Sequence, residues 1–247
     1  MKGYLHYNIW NKEQNLQHVC KSINFFVPKN TILDFSFEDC RDSSLEVFEA
    51  FKEIYLKEYD CRVHMASKKY RMKNFNDAIG RFMETDCDFI LSPQDDQWIQ
   101  DSFLFNNIKN LYSKEDNVGI VGMRDGFTFS FKNYYSSHFS EKTNELVRWL
   151  NSGEYEKVKS INDGPILLSR QTIEKIGLFD ESMNAFYIET DYCARCIKQG
   201  LTNYVMGVEL IHLKLSCIDS ELYDADKNFG EIDLKILLSK HPDLYTI

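Results

Sequence analysis

Asp88-Phe-Ile-Leu-Ser-Pro-Gln-Asp-Asp-Gln97 is the stretch whose reading decides the fold. Phe89, Ile90 and Leu91 form the short apolar run of a buried strand, and Pro93 ends its ladder because it has no N–H to donate. Asp95 and Asp96 then stand at the C-terminal mouth of that strand, where ligands bind in an open α/β sheet. Two adjacent carboxylates repel each other unless a cation or a donor sits between them. A divalent metal holding a phosphorylated ligand would be such a cation. The alternative is a solvated turn that caps a helix starting near Ile99.

Working outward, strands and helices alternate. Tyr4–Asn8, Thr31–Phe37, Cys61–Met65 and Val118–Gly122 read as further strands. Lys12–Ile23, a segment capped by Ser43 or Ser44, Asn76–Met83 and Ile99–Tyr112 carry apolar residues at helical spacing. This order predicts a mostly parallel sheet covered on both faces. Past Gly122 the pattern loosens. Arg124–Tyr135 is aromatic, and Glu141–Leu150 reads as a helix. Gly164–Ser169 reads as a strand, Gln171–Ile176 as a helix ended by Gly177, and Glu189–Gln199 as a helix closed by Gly200. Thr202–His212 reads as one strand and Asn228–Lys240 as a terminal helix. With no Pro-, Gly- or Ser-rich linker, a single domain is expected over 1–218. It divides into two halves, about 1–123 and about 124–218, with a helical extension over 219–247.

The bulk composition narrows the function. The 247 residues are 43% hydrophobic and 27% charged, an ordinary globular balance. A net charge of −9 argues against a nucleic-acid partner, which needs a basic face. No apolar run approaches the ~20 residues of a transmembrane helix, and Met1–His6 is too polar for a signal peptide. A cytoplasmic protein is expected, and a homo-oligomer is compatible with the composition. Seven scattered cysteines fit reduced thiols, and Cys193-Ala-Arg-Cys196 reads as a buried helix face.

The C-terminal half holds a denser signal: Gly164-Pro-Ile-Leu-Leu-Ser-Arg170, Ile176-Gly-Leu-Phe-Asp-Glu181, Phe186-Tyr-Ile-Glu-Thr-Asp-Tyr-Cys-Ala-Arg195, Gly200 and His212-Leu-Lys-Leu-Ser216. This run resembles the family-2 glycosyltransferases of the GT-A fold, over roughly residues 3 to 217. Asp191 and Arg195 fall on the family's last Asp and Arg. Glu189 falls on the Asp of its Glu-Asp pair, and Ile188 replaces the Glu. In the N-terminal half, Tyr7-Asn8 resembles the family's opening strand, and Glu38-Asp39 its acidic turn near the nucleobase and ribose. Asn76 matches the family's Asn, with Phe75 in place of the Arg before it. Gln94-Asp95-Asp96 stands where the family has Asp-x-Asp.

The resemblance implies a Rossmann-like GT-A sheet flanked by helices. It also implies a metal-dependent, inverting transfer of a sugar from a nucleotide-diphosphate donor, UDP-linked, to a hydroxyl acceptor such as a glycan. Tyr7, Asn8, Glu38, Asp39, Asn76 and Asp95 are expected at the donor, with Arg71 or Lys73 near the diphosphate. Asp96 is the expected ligand of manganese or magnesium, and His212 a further candidate ligand. Hard oxygen ligands suit these ions, and the phosphates supply the remainder. Asp180 and Glu181 are expected at the acceptor, with the aromatic segment Phe127–Phe139 lining its cleft. Glu189 is the expected general base, at a helix start that favours a carboxylate; Asp191 is the other candidate, or a helix acid paired with Arg195. Two competing readings are a non-catalytic relative that binds a glycan or partner, and a sugar nucleotidyltransferase. The second usually has a Gly-rich loop after the first strand, whereas Asn8-Ile-Trp-Asn-Lys12 has no glycine.

Overall fold

The computed structural model describes residues 1–66, 71–124, 127–129, 146–161, 164–183, 186–212 and 220–244, with side chains left aside at 71, 124, 127–129, 146–149 and 220–228. The first half alternates strand and helix as the apolar periodicity requires. The order is β1 (Gly3–Ile9), α1 (Leu16–Phe26), β2 (Ile32–Glu38), α2 (Ser44–Tyr55), β3 (Asp60–Ala66), α3 (Arg71–Met83) and β4 (Phe89–Ser92). Then come β5 (Gln97–Ile99), α4 (Leu104–Lys114), β6 (Val118–Arg124), β7 (Phe127–Phe129), β8 (Leu146–Trp149), β9 (Tyr155–Val158) and β10 (Ile166–Ser169). The chain closes with α5 (Arg170–Ile176), α6 (Ile188–Lys198), β11 (Thr202–Gly207), β12 (Leu210–His212) and α7 (Ser220–Lys240).

Eight strands form the main sheet in the order β3-β2-β1-β4-β10-β6-β11-β9. β10 runs antiparallel to both β4 and β6, β9 is antiparallel to β11, and the other described pairings are parallel. The sheet is therefore mostly parallel and covered on both faces. Alternation along β1 shows how. Leu5, Tyr7 and Ile9 pack with residues of α1, α2 and α4 on one face, and Tyr4 packs with residues of α3, α5, α6 and α7 on the other. Each fully buried aliphatic or aromatic side chain contributes about 1.5–3 kcal/mol.

Helix α3 is pinned at several points. Arg81 reaches the buried Asp34 of β2 (Nε to Oδ1 3.0 Å, Nη2 to Oδ2 2.7 Å), which also meets His6 Nδ1 at 2.7 Å. Arg170 donates to the carbonyls of Phe82, Met83, Thr85 and Cys87 at the far end, satisfying groups a helix C-terminus leaves open.

Three expected elements change and one strand is additional. Ile99 lies in a strand, and the helix starts at Leu104, so the turn after Pro93 does not cap it. Thr202–His212 is two strands: β11 stays in the main sheet, whereas β12 pairs antiparallel with β5. Residues 146–149 of the expected Glu141–Leu150 helix are strand, and 141–145 lie outside the described residues. β9 had no expected counterpart, since its four residues carry little periodic signal. Cys193 and Cys196 are buried on the sheet side of α6, and a Cβ on Gly119 of β6 would stand 3.2 Å from Cys196 Sγ. Burial pushes the Cys196 thiol up to about 12 and Cys193 well above its usual value, as a packing role requires. Among the described residues no helix is long and apolar enough to cross a membrane.

Candidate active site

β1 and β4 lie side by side in the sheet, with β2 and β3 beyond β1 and the remaining strands beyond β4. The strand order reverses between them, which makes a crevice at their C-terminal ends. Asp95 stitches the two exit loops together. Its Oδ2 accepts the Trp10 N–H at 3.1 Å, Lys12 Nζ stands 4.0 Å from its Oδ1, and its carbonyl accepts from Asn15 Nδ2 at 3.4 Å. Lys12 is only 3% exposed and brings a cation into an acidic mouth. No local signal in the sequence marks it, because its partner Asp95 lies on a different strand exit.

Gln94 and Gln97 close the turn reciprocally. The Gln94 N–H donates to Gln97 Oε1 and Gln97 Nε2 to Gln94 Oε1, both at 2.9 Å. The β5–β12 pairing sets His212 opposite Gln97, so its imidazole meets the preceding carboxylate: His212 Nε2 lies 3.5 Å from Asp96 Oδ2. The two residues expected at a metal are thus brought together from positions 116 apart in the chain. Among the described residues, no group of three or more His, Cys, Asp or Glu side chains could hold a metal ion. One carboxylate and one imidazole fit manganese or magnesium only where phosphate oxygens and water complete the shell.

A polar cluster lies at the C-terminal ends of β1 and β2. Glu38 Oε2 accepts from Asn8 Nδ2 and from Asn74 Nδ2, both at 2.8 Å, and Asn74 also approaches Asn8 Oδ1 at 3.3 Å. Asn8 and Glu38, both expected at the donor, are brought together here. Asn74, rather than the expected Asn76, is the α3 asparagine that meets them. Asp39 is exposed beside the cluster, with φ +43, and its N–H donates to Ala66 O at 3.3 Å. Lys73, half-buried, adjoins Asn74; the Arg71 side chain and the segment 130–139 lie outside the described residues, as do the side chains of 127–129.

Two donor expectations need correction. Tyr7 is fully buried, its ring stacks on Phe35 (5.7 Å, 9°) and its hydroxyl donates to Gln97 O at 3.3 Å; strand alternation turns it into the core. Asn76 is a clamp. Its Nδ2 donates to Phe179 O (2.9 Å) and Glu181 Oε1 (3.0 Å), and its Oδ1 accepts the Phe179 N–H (2.9 Å). Helix α3 therefore joins the two motif blocks, with Asn74 toward the β1–β2 cluster and Asn76 toward the Phe179–Glu181 loop.

That loop is committed to internal contacts. Asp180 accepts from the Ser182 N–H and hydroxyl, both at 2.9 Å, and from Lys240. Burial alone would raise its carboxyl, but the Lys240 and Ser182 hydrogen bonds outweigh this and bring it down to about 2. Asp180 is thus a structural link as well as an acceptor-side candidate. Asp191 is fully buried. It accepts from Arg195 Nε at 2.8 Å and Lys240 Nζ at 2.9 Å, and lies 2.8 Å from His241 Nε2. Burial pushes its carboxyl up; bonds from His241 and Lys240, with the Arg195 charge, more than offset that and hold it below the usual range. Such a carboxylate has little capacity left for a proton. Glu189 lies in the first turn of α6 and is 8% exposed, while Ile188 packs in the core.

No protein-family model matches the chain, and no curated protein matches it by sequence. Solved structures do match. The mannosyltransferase PcManGT from Pyrobaculum calidifontis, in complex with GDP-Man and Mn2+, superposes with a TM-score of 0.59 at 10% identity, over 89% of this chain and 59% of its own. GalNAc-T7 with UDP, GalNAc and Mn2+ gives 0.61 at 8%, over 84% and 44%. Glucosyl-3-phosphoglycerate synthase from Mycobacterium tuberculosis, with Mg2+ and UDP, gives 0.59 at 11%, over 96% and 78%. The fold is that of the GT-A glycosyltransferases. At these identities the likeness establishes the GT-A fold alone, and the chain spans well under two thirds of the first two of those proteins.

Proposed function

We propose that the chain is a metal-dependent, inverting glycosyltransferase that moves a sugar from a UDP-linked donor to a hydroxyl of a glycan or similar acceptor. The observation that carries the reading is the Asp96–His212 pair, 3.5 Å apart at the switch-point mouth of a GT-A sheet. The GT-A neighbours were solved with Mn2+ or Mg2+ and nucleotides, which supports the same ligand class here. Asp96 and His212 would hold the divalent ion, which when bound stabilises the negative charge of the leaving diphosphate.

The remaining roles belong to the chain's own groups. Glu38, Asn8 and Asn74 offer a carboxylate and two amides to the ribose or base, and Lys12 offsets the charge of the Asp95 loop. In the reaction the acceptor oxygen bonds to the anomeric carbon as the bond to the diphosphate oxygen breaks. The acceptor proton passes to a carboxylate on the opposite face, which we assign to Glu189. Asp191 is better suited to structure, being enclosed by three cationic or imidazole partners.

Titration of the chain with UDP, with and without MnCl2, tests the reading. Asp96→Ala and His212→Ala are expected to abolish the metal-dependent part of UDP binding while retaining the wild-type melting temperature. UDP affinity that is indifferent to chelation and to both substitutions would refute it.

A further inference from the structure

Helix α7 grips the second motif block at both ends and in the middle. Asp233 Oδ2 accepts the Phe186 N–H at 2.9 Å. Lys240 Nζ bridges Asp180 and Asp191, and the neighbouring His241 meets Asp191. Lys198 Nζ donates back to the Lys240 carbonyl at 3.0 Å, and Leu237 is fully buried against α6. Gly230 runs beneath the Phe186 ring, since a Cβ there would stand 3.9 Å from Cδ2.

Between these grips, among the described residues, lies a non-glycine residue of the block with positive φ. Tyr187 has φ +59 and ψ 10, a left-handed conformation in a non-glycine residue, directly before Ile188 and Glu189. Such a conformation is strained and persists only where its surroundings over-determine it. The Phe186 N–H on one side and the Asp191 carboxylate on the other are both held by α7. Turning Tyr187 out of the left-handed region would re-aim the first turn of α6, and with it the Glu189 carboxylate.

We propose that α7 is a positioning element of the site, and that Asp233 and Lys240 are positioning residues that fix Phe186–Glu189 so that Glu189 faces the acceptor hydroxyl. This rests on the reading of Glu189 as the base. A displacement near 1 Å at such a group can lower turnover by about 100-fold.

The test compares the full chain with Lys240→Met, Asp233→Ala, Lys240→Arg and Glu189→Gln. Three quantities are measured: amide hydrogen exchange over residues 186–191, UDP affinity with manganese, and manganese-dependent hydrolysis of UDP-glucose, UDP-N-acetylglucosamine and GDP-mannose. Lys240→Met and Asp233→Ala are expected to speed exchange at 186–189 by about tenfold or more. They should lower kcat by roughly 10- to 100-fold and leave the UDP Kd within about twofold. Lys240→Arg should restore both exchange and kcat. Wild-type kcat in Lys240→Met and Asp233→Ala beside a slow Glu189→Gln would overturn the positioning role and leave the functional reading standing. Wild-type kcat in Glu189→Gln, or a wild-type chain that hydrolyses none of the three donors, would overturn that reading and this inference with it. Should Asp233→Ala fail to fold, Lys240→Met decides alone, because its side chain is 36% exposed and its removal leaves Arg195 and His241 on Asp191.

Discussion

Replacing Asp191 by Ala separates structure from catalysis at the most heavily bonded carboxylate of the C-terminal block. The carboxylate is fully buried, and its loss strips one acceptor from the Arg195 guanidinium and one from Lys240. Removing one partner of a buried ion pair costs about 3–5 kcal/mol, because the other charge is left uncompensated. Arg195 and Lys240 are 24% and 36% exposed, so water relieves part of that penalty and the lower end applies, about 3 kcal/mol. For a domain of this size each kcal/mol moves Tm by about 2–4 °C, which gives a fall of roughly 6–12 °C. Asp191→Asn keeps the shape and some acceptor capacity and should fall by about half as much. The assay is a calorimetric melt at pH 7, run beside donor hydrolysis on the same samples. A dead Asp191→Asn that melts with the wild type would refute the structural role and transfer the base to Asp191. An unchanged Tm with normal turnover would mean that the cluster contributes neither.

Glu189→Gln keeps volume and hydrogen-bonding reach but cannot take a proton; kcat should fall about 100-fold or more with UDP–manganese affinity retained, and stopped-time hydrolysis assays check it. Asn74→Ala should weaken UDP binding and leave stability nearly unchanged. Asn76→Ala, which breaks three bonds to the Phe179–Glu181 loop, should do the reverse, lowering the unfolding free energy by about 2 kcal/mol in urea. Asp180 and Asp191 titrate lower folded than unfolded, so the native state binds fewer protons there. Their contribution is complete above the ordinary value of about 3.9 and is lost as pH falls below it, for Asp180 toward about 2. Burial lowers the His241 pKa despite Asp191, so it adds a loss of the same sign that begins below about 6.5. Urea midpoints across pH 7 to 2 should decline, and Asp180→Asn with Asp191→Asn should flatten the part below pH 4.

The sheet was legible in the sequence because its strands are apolar on both faces and its helices carry wide apolar stripes. Three-residue pieces were not. β5 and β12 are too short for any periodicity, yet their pairing carries His212 to Asp96. The metal pair was therefore proposed from motif order, and only the tertiary structure supplies the contact. The same limit hid Asn74, since choosing between two asparagines two residues apart depends on how α3 is rotated. The Asp34 cluster was also hidden: His6, Asp34 and Arg81 come from three elements, and no local signal links them.

The three departures from the family wording look in the sequence like erosion of a working site. Each has a packing or turn-closing use. Phe75 fills the core between His6, with rings 6.0 Å apart and nearly parallel, and Phe179 at 5.4 Å. Gln94 closes the Pro93 turn with Gln97: its backbone N–H donates to Gln97 Oε1 and its side-chain Oε1 accepts from Gln97 Nε2. Ile188 packs among the core residues shared by α6 and α7. A charged residue at either apolar position would need a buried partner there. A chain that had merely lost selection on catalysis has no physical reason to keep Asp96 beside His212 and Asn8 and Asn74 on Glu38, since such polar clusters at a strand mouth cost desolvation without adding core. Phe75 and Ile188 fall where the chain packs and Gln94 where the turn closes, while the retained polar groups fall where a ligand would enter. That division argues for a site re-supported by new packing rather than one abandoned, and Glu189→Gln beside Lys240→Met is the pair of variants that decides it.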